Sequence, residues 1–89
     1  SYGDVAALDS DLLVMEEDSA SADAINTIHA VLKKAIVWTV DTDSSAEKFL
    51  NSNADAVITD DVEMCKRVQK KLSERSDYER VFDSLEVLE

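Results

Sequence analysis

AIVWTVDTDSSAEKFLNSNADAVITDD, residues 35–61, reads as strand, helix, strand. Ala35 to Val40 is a β-branched apolar run, too short and too bulky for a helix, and it stops at Asp41-Thr42-Asp43. Ser44 with Glu47 three residues later makes a capping box, and Ala46, Phe49 and Leu50 then share one face of a short helix to about Asn51. Asn51 to Asn53 supply the turn, because Asn tolerates the left-handed backbone that usually needs Gly. Ala54 to Thr59, centred on Ala56-Val57-Ile58, is the next strand. A strand that reaches its successor through a helix lies parallel to it, with a right-handed crossover.

The same alternation extends outward. Leu12 to Met15 is an earlier apolar run that ends at Glu16, Glu17 and Asp18, as a strand buried on both faces would. From about Ser21 to Lys34, Ala24, Ile25, Ile28, Val31 and Leu32 recur at helical spacing, with Ser19 or Ser21 as the cap. Downstream, Asp60 with Glu63 caps a helix whose stripe is Met64, Cys65, Val68 and Leu72, to about Ser73. Ser76 with Glu79 opens a separate amphipathic C-terminal helix carrying Tyr78, Val81, Phe82, Leu85 and Leu88; one long bent helix is the alternative. The fold class is therefore α/β: three consecutive β-α units with parallel strands, plus an extra C-terminal helix. Three strands leave two open edges, which proteins pair, cover or close into a barrel, so the chain reads as part of something larger. Residues 1–75 carry the three β-α units and 76–89 the added helix.

Composition sets limits on function. The 89 residues are 45% hydrophobic and 33% charged, which supports one small folded domain. Twenty acidic against nine basic residues give a formal charge of −11, which repels phosphate backbones and anionic lipid and argues against nucleic-acid binding. A lone cysteine, Cys65, offers neither a disulfide nor a zinc motif and suits a reducing compartment. No apolar run approaches the roughly 20 residues that span a bilayer, and no signal peptide is visible, so this segment is expected to be soluble. The start at Ser1-Tyr2-Gly3, without methionine, suits an excised or processed piece.

In parallel α/β folds, ligands bind beyond the carboxyl ends of the strands. Those ends carry Glu16 and Glu17, then Thr39 and Asp41, then Thr59, Asp60 and Asp61. Clustered carboxylates suit Mg²⁺ or Ca²⁺, but Asp43 and Asp60 also stand where helix caps belong, and both readings remain open. Trp38 shares a strand face with Ile36 and Val40; it packs as core or forms a flat apolar wall for a small ligand. His29, in mid-helix beside Ile28 and Leu32, is assigned no chemistry.

VWTVD (37–41), a short helix and ADAVITDD (54–61) resemble the closing part of the glycerophosphodiester phosphodiesterases, which typically read VWTVN, a helix, then GVDGIITD. The likeness spans roughly Asp9 to Leu72 and includes a histidine-bearing helix before Lys33-Lys34. It implies that the piece is the C-terminal part of a (β/α)8 TIM-type barrel and supplies the last three units. It also implies metal-assisted hydrolysis of glycerophosphodiesters to glycerol 3-phosphate and an alcohol, with Mg²⁺ or Ca²⁺ in the full-length parent and none in this segment alone. Trp38 would line the glycerol pocket, and Glu16, Asp41 and Asp60 would be rim positions. The family's histidine-arginine-glycine motif, metal-binding Glu and Asp pair, second catalytic histidine and Glu-x-Lys strand belong to earlier strands and are absent here, so the segment is expected to be inactive by itself. Its partners would be the remainder of the barrel and, in the parent, the substrate; the parent would be cytoplasmic or membrane-associated. The alternative is a non-catalytic interaction or self-assembly module, with open strand edges and the Tyr78 stripe favouring a homo-oligomer.

Overall fold

The computed structural model describes residues 2–7 and 9–87, leaving aside the side chains of Tyr2, Ala6 and 80–87. The order is α1 (Tyr2–Ala6), β1 (Leu12–Glu16), a 3-10 turn (Glu17–Ser19), α2 (Ala22–Ala30), β2 (Lys34–Trp38), α3 (Asp43–Leu50), β3 (Ala56–Val57) and α4 (Val62–Val87). The strands form one open three-stranded sheet in the order β1-β2-β3, parallel throughout. β3 is short by strict pairing, yet Asp55 N–H donates to the Ala35 carbonyl, Ile58 N–H to Val37 and Val40 N–H to Ile58, which continues the ladder on both sides.

Side-chain alternation divides the sheet into two unlike faces. Ala35 and Val37 of β2 are fully buried, Ala35 against Ile25 and Ile28 of α2, and Val37 in a cluster with Ala46 and Phe49 of α3 and Met64, Cys65 and Val68 of α4. Among the described residues no helix lies over the other face: Leu12 is 51% exposed, Val14 54%, Trp38 40% and Ile58 47%. Apolar strand residues in water on one side only are what a sheet shows when it has a single helical layer and an open interior.

Several local expectations change. α2 ends at Ala30, four residues before Lys34, because Leu32 takes a left-handed φ of 62° and is 93% exposed. Leu32 N–H donates to His29 and Lys33 N–H to Ile28, a closed helix end that normally uses Gly at that position. Ser21 is the α2 cap, its hydroxyl accepting from Ala24 N–H. α3 is capped by Thr42 and not by Ser44, since the extended Thr42 accepts from Ser45 N–H at 3.2 Å while Glu47 turns to Lys71. Among the described residues no Asn is left-handed; the turn after α3 is held by Ser52, whose hydroxyl donates to the Phe49 carbonyl and accepts from Ala54 N–H. Asp61, not Asp60, caps α4, accepting from Met64 N–H at 3.0 Å.

α4 continues through Ser73 to Ser76 without a break, so the separate C-terminal helix gives way to a single helix from Val62 to Val87. Ser73 to Glu79 are exposed there, Tyr78 among them, and the stripe of Val81, Phe82, Leu85 and Leu88 lies outside the described side chains. α4 is fastened to α3 by Arg67–Asp43 at 2.8 Å and Lys71–Glu47 at 2.9 Å. No helix among the described residues is long and apolar enough to cross a membrane.

Candidate functional site

The candidate site is the carboxyl edge of the sheet, where three strand exits lie side by side. In the β1–β2 register Glu16 pairs with Trp38, after Val14 with Ile36 and Leu12 with Lys34. Partners in a parallel register project to the same face, so Glu16 and Trp38 stand next to each other on the uncovered side. Continuing the Ile36 to Ala56 register by two residues brings Ile58 to the other flank of Trp38. Trp38 is thus half-exposed and not part of the buried core.

Val40 departs from the expected face. β2 ends at Trp38, the alternation lapses, and Val40 is fully buried among Val37, Ala46 and Cys65 on the helical side. Trp38 therefore shares its face with Ile36 but not with Val40. Glu16 and Glu17 also separate. Glu16 is exposed on the open face, whereas Glu17 is half-buried in the 3-10 turn and holds Oε2 out of water with no hydrogen-bond partner among the described residues.

The second and third exits are tied together through Asp41. Its Oδ1 accepts from Asp60 N–H at 2.9 Å and from Thr59 Oγ1 at 3.5 Å, and Thr59 Oγ1 accepts in turn from Asp61 N–H at 2.9 Å. Asp41 thus acts as a clamp that fixes the loop in which Asp60 is exposed. A carboxylate accepting backbone N–H groups does structural work that a free rim acid does not. No group of three or more His, Cys, Asp or Glu that could hold a metal is present among the described residues.

A second polar constellation, which sequence spacing did not single out, sits at the amino end of the sheet. Asp55 Oδ2 accepts from Ala35 N–H at 2.7 Å and meets His29 Nε2 at 2.8 Å. The Ala35 N–H first, and His29 second, hold the Asp55 carboxyl below its ordinary value. Asp43 is lowered likewise, chiefly by the Arg67 guanidinium, which is itself raised by Asp43. The Asp55 site knits α2 to the sheet at the end away from the strand exits, whereas Asp43–Arg67 joins α3 to α4. A groove of about 350 Å³ floored by Ala20, Ile25 and Phe49 also lies on the helical side, remote from Trp38.

No protein-family profile matches the chain, and no curated protein does. Its fold is similar to part of a crystal structure from Silicibacter pomeroyi DSS-3, a protein provisionally assigned as a glycerophosphoryl diester phosphodiesterase, with a TM-score of 0.76 at 15% identity. The likeness covers 81% of this chain and 24% of that one, so the chain spans about a quarter of its neighbour's length. At that identity the likeness establishes the fold: three parallel β-α units in an open sheet, consistent with part of a TIM barrel.

Proposed function

We propose that the chain is the C-terminal segment of a glycerophosphodiester phosphodiesterase barrel, inactive when separate and completed by the preceding β-α units of its parent. The observation that carries this reading is the one-sided sheet: helices cover Ala35 and Val37, while Leu12, Val14, Trp38 and Ile58 face an interior that other strands would fill. The neighbour's assignment and the VWTVD and ADAVITDD exits supply the chemistry.

In this reading Trp38 is a wall of the substrate pocket, with Glu16 and Asp60 on its rim and Asp41 fixing the loop between them. The metal that would polarise the phosphodiester is assigned in this reading to the rest of the barrel; among the described residues no group of three or more His, Cys, Asp or Glu stands together to hold one. The single histidine, His29, is engaged with Asp55 at the far end of the sheet and takes no part in proton transfer. With glycerophosphocholine and Mg²⁺ or Ca²⁺, the isolated chain is expected to give no turnover. The open reading frame extended upstream of Ser1 is expected to hydrolyse it. Turnover by the short chain overturns the claim of inactivity, and an extended chain with no phosphodiesterase activity overturns the assignment.

A non-catalytic assembly module is the second reading, favoured by the same uncovered face and by the unpaired outer edges of β1 and β3. Sedimentation over a wide concentration range separates the two, since a persistent monomer counts against assembly.

A further inference from the structure

We infer that the groove between α2 and α3 binds a medium-chain alkyl carboxylate, with the tail on Ile25 and Phe49 and the head on Lys48. This site is independent of the strand exits and of the phosphodiesterase reading. α3 turns Asp43 toward Arg67 and Glu47 toward Lys71 of α4, so it is fastened on that side and a cleft is left toward α2. The cleft holds about 350 Å³, within the range of small-molecule sites. Its floor is apolar, with Ile25 2% and Phe49 3% exposed. Lys48 holds its ammonium 5.1 Å from the centre of the Phe49 ring, so a cation stands over that floor. Asn26, Asn51 and Asn53 are exposed and line the rim with side-chain amides. Further β-α units would join at the outer edges of β1 and β3, so a cleft between these two helices stays open in a completed barrel.

The groove is matched to an anion with an apolar body. Among the described residues Lys48 makes no ion pair, and no carboxylate lines the groove although the chain carries twenty acids. Methylene groups laid on Ile25 and Phe49 leave water, which is the hydrophobic part of the attraction. A carboxylate at the end of the chain meets the Lys48 ammonium and accepts hydrogen bonds from the rim amides. A neutral alkyl ligand would leave Lys48 without a counter-charge, a cationic one would be repelled, and acetate would leave the floor bare. The net charge of −11 opposes any anion at long range. At about 0.15 M salt that field is screened beyond roughly 8 Å, and Lys48 is the one charged residue lining the groove.

The isotope-labelled chain is titrated with sodium octanoate in about 0.15 M NaCl near neutral pH and followed by NMR. The side-chain amides of Asn26, Asn51 and Asn53 are expected to shift saturably. The dissociation constant should be several millimolar, the scale that ordinary ligand efficiency gives for about ten non-hydrogen atoms. The Trp38 indole N–H, on the uncovered face of the sheet, should stay in place. Octane-1,2-diol, neutral with the same chain length, should bind about fivefold more weakly, the scale of one charge pair across roughly 4 Å of water. Lys48→Gln should weaken octanoate by the same factor and leave the diol as it was. Lys70→Gln, an equal change of charge at an exposed position of α4 outside the groove, should alter neither titration.

Octanoate that shifts Trp38 and not the three amides has its tail on the open sheet face, and that result overturns the site. Equal affinities for octanoate and the diol, a Lys48→Gln titration that matches wild type, or no saturable shift at all overturn it too. Each of these outcomes leaves the phosphodiesterase reading untouched.

Discussion

Asp55 is the residue whose removal tells most about how this sheet is held. One carboxylate oxygen receives the Ala35 N–H at the start of β2 and the His29 ring from α2, so three segments converge on it. Its carboxyl is lowered from the ordinary 3.8 in the fold. A lowered carboxyl contributes stability that is fully present above the unfolded value and disappears as pH falls through the folded one. Asp55→Ala should therefore melt lower than wild type at pH 6, and the gap should close below about pH 4. Thermal melts of both chains from pH 6 to pH 2.5 test this. A gap that stays constant would mean that the charge on Asp55 is irrelevant. Nothing in the sequence marked Asp55, because its two partners lie 26 and 20 positions away and become neighbours only once β2 and β3 pair.

At the scale of elements, the order of strands and helices was legible in apolar runs and caps, and their ends were not. β1, β2 and the stripes of α2 and α4 follow from residues such as Val37, Ile28 and Val68, each placed by local periodicity and each buried as expected. Ends depend on which of several polar residues wins a backbone N–H. Thr42, Ser44 and Asp43 stand together, and Thr42 takes the cap because it alone is extended before the first turn. Asp60 loses the α4 cap to Asp61 because the helix begins at Val62, which makes Asp61 the residue whose carboxylate reaches the Met64 N–H. The site followed the same division: Trp38 and Glu16 were named from strand exits, but their side-by-side placement required the register. The end of α2 yields a prediction. Leu32 is left-handed and exposed, a conformation costing a branched L-residue about 1 kcal/mol that glycine does not incur. Leu32→Gly should stabilise the chain by about 0.5–1 kcal/mol in urea denaturation, and a loss of stability would show that Leu32 has a role in packing.

The whole molecule is a single helical layer on a sheet, and its two faces should answer mutation differently. Phe49→Ala, on the covered side, removes a side chain 3% exposed and should cost about 3–4 kcal/mol. Val14→Thr, on the open side, should stay within about 0.5 kcal/mol of wild type in the isolated chain. A large cost at Val14 in a chain that sediments as a monomer would mean that something in the chain already covers that face. Charge acts on the molecule as a whole too. With extents of 52 × 31 × 18 Å and a net −11, most carboxylates lie within one Debye length of others at about 10 mM salt, where that length is near 30 Å. At about 1 M it falls to roughly 3 Å, and repulsion among them is screened. The same salt also weakens Arg67–Asp43 and Lys71–Glu47, but exposed pairs contribute at most about 1 kcal/mol each, and they are two against an excess of eleven like charges. Repulsion should therefore dominate, and the melting temperature should rise by several degrees between those NaCl concentrations. A fall would place the α3–α4 ion pairs, and not the acidic surface, in control of stability.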